Sequence, residues 1–310
     1  MNDKILLGPQ RHQRTVAGAL EEFGIDGQVA VISAGWQERE SELRELRDHV
    51  GLPAVNLQLH RRAEQIFEED PELFDALRRR QQRLRRLQRL YRLQLDHALG
   101  AARELLRRTG DDPALIEPER EAAIEAVRVL DRHHLGRVTQ IRLEFDNQWR
   151  LENRPSVVSR RERVTRALNR CRAVLIAGGH VAVLLNRVRL FGLEKVLEEK
   201  PVIAWSAGAM AIAPRIVLFH DNPPQGAGNA EVLDHGLGLY PQVIPLPHAR
   251  RRLQLDDPVR VGLFARRLAP GRAVALDDGS FLRWDGQRWE ARPGTRQLAS
   301  SGELHELVTA

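Results

Sequence analysis

Short apolar runs recur along this chain: KILLG (4–8), QVAVISAG (28–35), AVNLQL (54–59), AVLIAGG (173–179) and PVIAW (201–205). Mostly uninterrupted apolar runs of this length suit strands buried on both faces, the condition of a parallel sheet. Between the first three, RTVAGALEEFG (14–24) and ERESELRELRDHVG (38–51) read as amphipathic helices closed by Gly24 and Gly51. The alternation predicts an α/β domain, a mostly parallel sheet with helices on both faces.

The alternation stops between about His60 and Arg137, where Leu77, Leu84, Leu87, Leu95 and Ala98 recur at helical spacing. Gly110, Pro113 and Pro118 break this stretch, and EREAAIEAVRVLDRHH follows as another helix. A helical hairpin or bundle over 60–137 is therefore expected as a large insertion in an α/β domain formed by 1–59 and 138–310. RVTQIRLEFDNQW (137–149) alternates with a period of two and predicts an extended ribbon. Further on, DDPVRVGLFARRLAPG predicts a helix, and 272–294 predicts antiparallel strands turning at Asp278-Gly279 and Asp285-Gly286.

Composition narrows the class. The chain has 310 residues, 42% hydrophobic and 29% charged, ample for a globular core. No apolar run approaches the ~20 residues that cross a bilayer, and MNDKILLGPQRHQR does not resemble a secretory signal. The lone Cys171 excludes an intrachain disulfide and reads as a buried thiol, so a cytoplasmic location is expected. The formal charge of +6 is local: Arg78 to Arg108 holds eleven arginines against Asp96 and Glu104, a balance of +9 that leaves about −3 elsewhere.

The chemistry concentrates in PVIAWSAGAMAIAPRI (201–216). Ser206 stands between an apolar strand and a helix of small residues, either as a nucleophile on a sharp turn or as an ordinary N-cap. A nucleophilic serine needs a base, an orienting carboxylate and oxyanion donors. RIVLFHDNPPQG supplies His220 and Asp221, and YPQVIPLPHARRRL supplies His248. An α/β-hydrolase fits less well, because Ala204 stands where its elbow prefers glycine and its Asp and His lie farther along the chain.

VIAWSAGAMAIAPRIVLFHDNPP, with LIAGGH before it and YPQVIPLPHAR after it, resembles the dipeptidase E branch of the dipeptidase E/cyanophycinase serine peptidases. The resemblance implies a flavodoxin-like sheet of the class I glutamine amidotransferase kind. It also implies a Ser206–His248–Asp221 triad, with Gly179 and Ala207 N–H groups as the oxyanion hole. Gly178, His180 and Trp205 flank that site as candidate substrate contacts. Ala177 replaces a glycine of the family pattern, Leu246 an asparagine, and Ala249-Arg250 the aromatic–acid pair after the histidine. A preference for aspartyl dipeptides therefore does not carry over. Glutaminase chemistry would need a cysteine at the elbow, where this chain has Ser206.

Asp234 and His220 compete with Asp221, and His235 reads as a loop residue. His133-His134 point apart on a helix, and the GxG fragments lack a dinucleotide context, so neither metal nor cofactor is expected. The arginine-rich helices read as a solvated face that packs over the site or on another subunit. An arm that binds nucleic acid or an acidic protein partner is the alternative, although Tyr91 stands alone where stacking needs aromatics. The expected function is a serine hydrolase, a peptidase of small peptides. The alternative is an inactive relative acting as a scaffold through its basic arm.

Overall fold

The computed structural model describes residues 3–219 and 228–307. The chain opens with β1 (Lys4–Leu7), α1 (Val16–Glu22), β2 (Val29–Ile32), a 3-10 turn (Ala34–Arg39), α2 (Arg44–Val50) and β3 (Ala54–Asn56). It is then helical through α3 (Leu59–Glu69), α4 (Pro71–Arg107), α5 (Pro113–Trp149) and α6 (Pro155–Asn169). Strand β4 (Ala173–Ile176), α7 (Val181–Leu190), α8 (Glu194–Glu198), β5 (Val202–Trp205) and α9 (Ala207–Ile212) follow. After β6 (Ile216–Leu218), β7 (Glu231–Asp234) and β8 (Val243–Pro247) come α10 (Ala249–Arg252), α11 (Pro258–Leu268) and β9 (Arg272–Leu276). The chain closes with β10 (Phe281–Trp284), β11 (Trp289–Ala291), β12 (Arg296–Leu298) and β13 (Leu304–Glu306).

The central sheet has the order β11-β10-β1-β5-β4-β2-β3; β1, β5, β4, β2 and β3 are parallel, and β10 and β11 run antiparallel at one edge. Its apolar runs are buried on both sides. Ile5, Val29, Val31, Leu175 and Ile203 pack with α1 and α2 (Val16, Leu20, Val50). Leu6, Ala30, Ile32, Val174 and Val202 belong to the larger core with α3, α6, α7 and α9. A period of two thus exists, but both phases are apolar. A second sheet, β13-β12-β9-β8, and the ribbon β6–β7 stand beside the first.

Two expectations are corrected. Residues 137–149 are the second half of α5, not a ribbon. Val138, Ile141 and Phe145, all buried, lie at three- and four-residue spacings, so the same residues satisfy a helical stripe once α4 provides a face to pack on. The helical stretch therefore runs past Arg137 to Trp149. The Asp278-Gly279 turn also makes no hairpin: β9 pairs with β8 and β12, and the chain changes sheets before β10. The turn at Asp285-Gly286 does join antiparallel neighbours, β10 and β11. No helix among the described residues is long and apolar enough to cross a membrane.

The long pair α4–α5 is fastened to the body by a buried polar cluster. Arg267 of α11 donates to Asp131 Oδ2 at 2.7 Å and Oδ1 at 2.8 Å, and to the Tyr91 hydroxyl at 2.8 Å. Tyr91 donates to Asp131 at 2.6 Å, accepts from the Val232 N–H at 3.2 Å and stacks on His134 at 4.1 Å. Arg267 and Asp131 are both shut off from solvent. Removing one partner of such a pair leaves an uncompensated buried charge, so Asp131→Ala is expected to cost about 3–5 kcal/mol in denaturant unfolding. The double variant Asp131→Ala/Arg267→Met should recover much of that loss.

Candidate active site

Parallel sheets place ligands beyond the carboxyl ends of their strands, where the chain order reverses. Here the reversal lies between β2, whose chain continues outward to β3, and β4, whose chain continues to β5 on the other side. The loops after β2, β4 and β5 meet there. Ala177 and Gly178 follow β4, and a methyl group on Gly178 would lie 2.9 Å from Ser206 Cβ and 3.5 Å from its Oγ. Only glycine admits the serine so close. Gly179 has φ +105°, and a Cβ there would strike the Gly35 carbonyl oxygen at 2.3 Å. The same Gly35 oxygen accepts from the His180 N–H at 2.8 Å.

Ser206 has φ 51° and ψ −124°, a conformation costly for a residue with a side chain, and its hydroxyl makes no capping bond to α9. The N-cap reading therefore does not describe it. Ala207 begins α9, so its N–H lies at the positive end of a short helix. His248 follows β8 in the second sheet, also at positive φ (59°), and its N–H donates to Leu276 O at 3.0 Å. Ser206, Ala207, Gly178, Gly179, Trp205 and His248 line one cleft of 1290 Å³.

Burial, then the charges of Arg252 and Arg251, lower the His248 pKa below its usual 6.5; Asp278 opposes them. Asp221 and His220 lie outside the described residues. On either side of that segment, Phe219, Gly228 and Asn229 line the cleft. Asp234, the rival carboxylate, lies elsewhere, ion-paired with Arg142 and Arg189. His180 does not line the cleft: its Nδ1 accepts from the Val183 N–H at 3.3 Å, capping α7, and the residue lines a second cavity. Trp205 is in the buried wall.

Sequence reasoning passed over Gly35 and Trp36, although SAGW ends an apolar strand in glycine much as AVLIAGG does. Arg250 and Arg251 are exposed, but Arg252 is half-buried and lines the cleft. Cys171 is buried, with its thiol pKa raised by burial, and donates to Ala167 O at 3.3 Å. His134 is buried while its neighbour His133 is exposed. Among the described residues no group of three His, Cys, Asp or Glu side chains is placed to hold a metal.

A serine on a strained strand-to-helix turn, at the carboxyl edge of a largely parallel sheet, defines a class of α/β protein built like a hydrolase. Residues 138–291 match the family model of Peptidase family S51, in agreement with the resemblance to the dipeptidase E family. A crystal structure of a peptidase from an acI-B1 Actinobacterium is similar, at 11% identity and a TM-score of 0.46, over 98% of this chain and 96% of that one. A putative peptidase E protein from Listeria monocytogenes EGD-e is similar at 13% identity and a TM-score of 0.44, over 94% and 97%. No curated protein matches the chain.

The field around His248 is testable without turnover. Its imidazole should titrate below 6.5 by NMR. Removing a neighbouring positive charge stabilises the imidazolium, so Arg252→Gln should move the midpoint up, and Asp278→Asn should move it down. A midpoint unmoved in both variants would contradict the assigned causes.

Proposed function

We propose that this protein is a serine peptidase of small peptides, built on a flavodoxin-like, class I glutamine amidotransferase-like domain. The carrying observation is Ser206 itself: held in a strained turn, unused as a cap, and facing the cleft that His248 also lines. In this reading neutral His248 takes the Ser206 proton as Oγ attacks the scissile carbonyl, and later gives it to the leaving amine. Gly179 and Ala207 N–H groups receive the developing oxyanion, and Asp221 holds the imidazole tautomer. The lowered His248 pKa supports this role, because the neutral base then persists to lower pH.

The helical pair supports the reading from behind. No described residue of α4 or α5 lines the cleft. Instead α4 braces two residues that do: Arg92 Nε bonds Glu231 at 2.7 Å, Gln88 donates to Glu231 at 2.9 Å, and Asn229 donates to Asp96 at 2.6 Å. Arg83 and Arg107 of α4 pair with Glu144 and Asp257 of the same chain.

A fluorophosphonate probe tests the nucleophile directly. Wild type should be labelled and Ser206→Ala should not; unlabelled, correctly folded wild type would favour the scaffold alternative. On a peptide substrate Ser206→Ala or His248→Ala should lower kcat by about 10⁴-fold or more. Gly178→Ala should keep the fold by circular dichroism but lose about a hundredfold in kcat, because its methyl group displaces Ser206.

A further inference from the structure

A second cavity, of 1080 Å³, lies between α4, α5, α6, α7 and the end of β7. It shares the 3-10 turn as a wall with the cleft: Trp36 faces the cleft and Gln37 faces this cavity. Arginines outnumber carboxylates in its lining. At its centre Arg142 is ion-paired with Asp234 Oδ2, and Arg189 Nη1 stands 3.4 Å from the same oxygen. Arg189 also donates to the carbonyls of His235 and Gly236, at 2.8 and 3.4 Å.

Arg80 completes the group. Its guanidinium lies 4.4 Å over the Phe145 ring, and it has no hydrogen bond or ion pair with any described residue. Its Nε is buried without a partner, as are Arg142 Nε, Asp234 Oδ1 and Asn186 Oδ1. Burial first, then the charge of Arg142, brings the Arg80 pKa down to about 10; Asp146 opposes this and Arg189 adds to it. Three guanidiniums therefore converge on one buried carboxylate, Asp234, while the exposed Asp146 and the half-buried Glu194 act on them without a hydrogen bond. Water could satisfy the open hydrogen bonds, but an anion would also balance the lining as a whole, where seven arginines face five carboxylates. Across the cavity Phe67 and Phe74 form an apolar wall, their rings 5.2 Å apart.

We propose that this cavity binds an organic oxyanion, a carboxylate or phosphate head held by Arg80, Arg142 and Arg189 with an apolar body against Phe67 and Phe74. Guanidinium forks match both head groups, and the volume leaves room for a body beyond the head. Phenyl phosphate, phenylacetate and inorganic phosphate, titrated calorimetrically into the full chain at constant ionic strength, distinguish the sources. Saturable binding of phenyl phosphate alone assigns a phosphate head, and of phenylacetate alone a carboxylate; both support the site.

Arg80→Gln should weaken that binding by about tenfold or more, and the exposed Arg79→Gln should not. Arg80→Lys, which keeps the charge and loses the fork, gives the same expectation should the glutamine variant fail to fold. No saturable binding of either aromatic anion, or binding unchanged in the Arg80 variants, overturns the proposal. Phenyl phosphate bound no tighter than inorganic phosphate overturns the apolar half of it. The readout needs no turnover, so it is independent of Ser206.

Discussion

The candidate site depends on one close backbone crossing, where the loops after β2 and β4 interlock. Gly35 and Gly179 approach so closely that a Cβ on either would meet the other strand's backbone, Gly178 O at 2.5 Å or Gly35 O at 2.3 Å. The His180 N–H to Gly35 O bond fixes the crossing. Its result is that Gly178 stands directly against Ser206, so the β4 loop and the β5 elbow form one rigid surface. Gly208 extends the constraint into α9, since a Cβ there would lie 2.2 Å from Ile176 O. Backbone packed against backbone leaves no rotamer freedom, and such rigidity is what preorganised donors require.

The second requirement is that a separate sheet deliver His248 to the same cleft. Strand β8 pairs with β9 in parallel, Pro247 opposite Leu276, and the histidine emerges one residue beyond. The chain then leaves that sheet through Asp277–Ser280 and enters the central one as β10. That turn is packed on the end of β1: Gly8 N–H donates to Ser280 O at 2.9 Å, and a Cβ on Gly8 would overlap Asp277 O at 1.9 Å. The strand end that carries His248 is therefore tied, through its neighbour β9, to the sheet that carries Ser206. Both side chains sit at positive φ, and this shared strain fits residues whose direction matters more than their local comfort.

The long helices serve a different need. Their charge appears on the sequence as a polycation, yet in the fold several of its arginines bond to other parts of the chain. Arg92 and Arg103 reach Glu231 and Asn229 at the cleft wall. Arg80 faces inward, toward a cavity. A run of like charges is tolerable here because carboxylates from distant segments, Glu144, Glu231 and Asp257, answer several of them.

By itself the sequence determined the parallel core, since strands buried on both faces must be apolar in both phases, and no tertiary context is needed to see that. It also determined the elbow and the glycine turn, because close approach and sharp turning restrict residue type locally. Tertiary structure alone decided whether 137–149 was strand or helix: Ile141, Leu143 and Phe145 fit a period of two, Val138, Ile141 and Phe145 a helical one, and α4 supplies the surface that selects the second. It alone moved β9 out of the expected hairpin, because strand pairing is set by neighbours far along the chain. It alone turned His180 into a helix cap and sent Asp234 to a second cavity. Residue type and spacing limit what a side chain can do; which cleft it faces depends on packing between segments that the sequence does not place side by side.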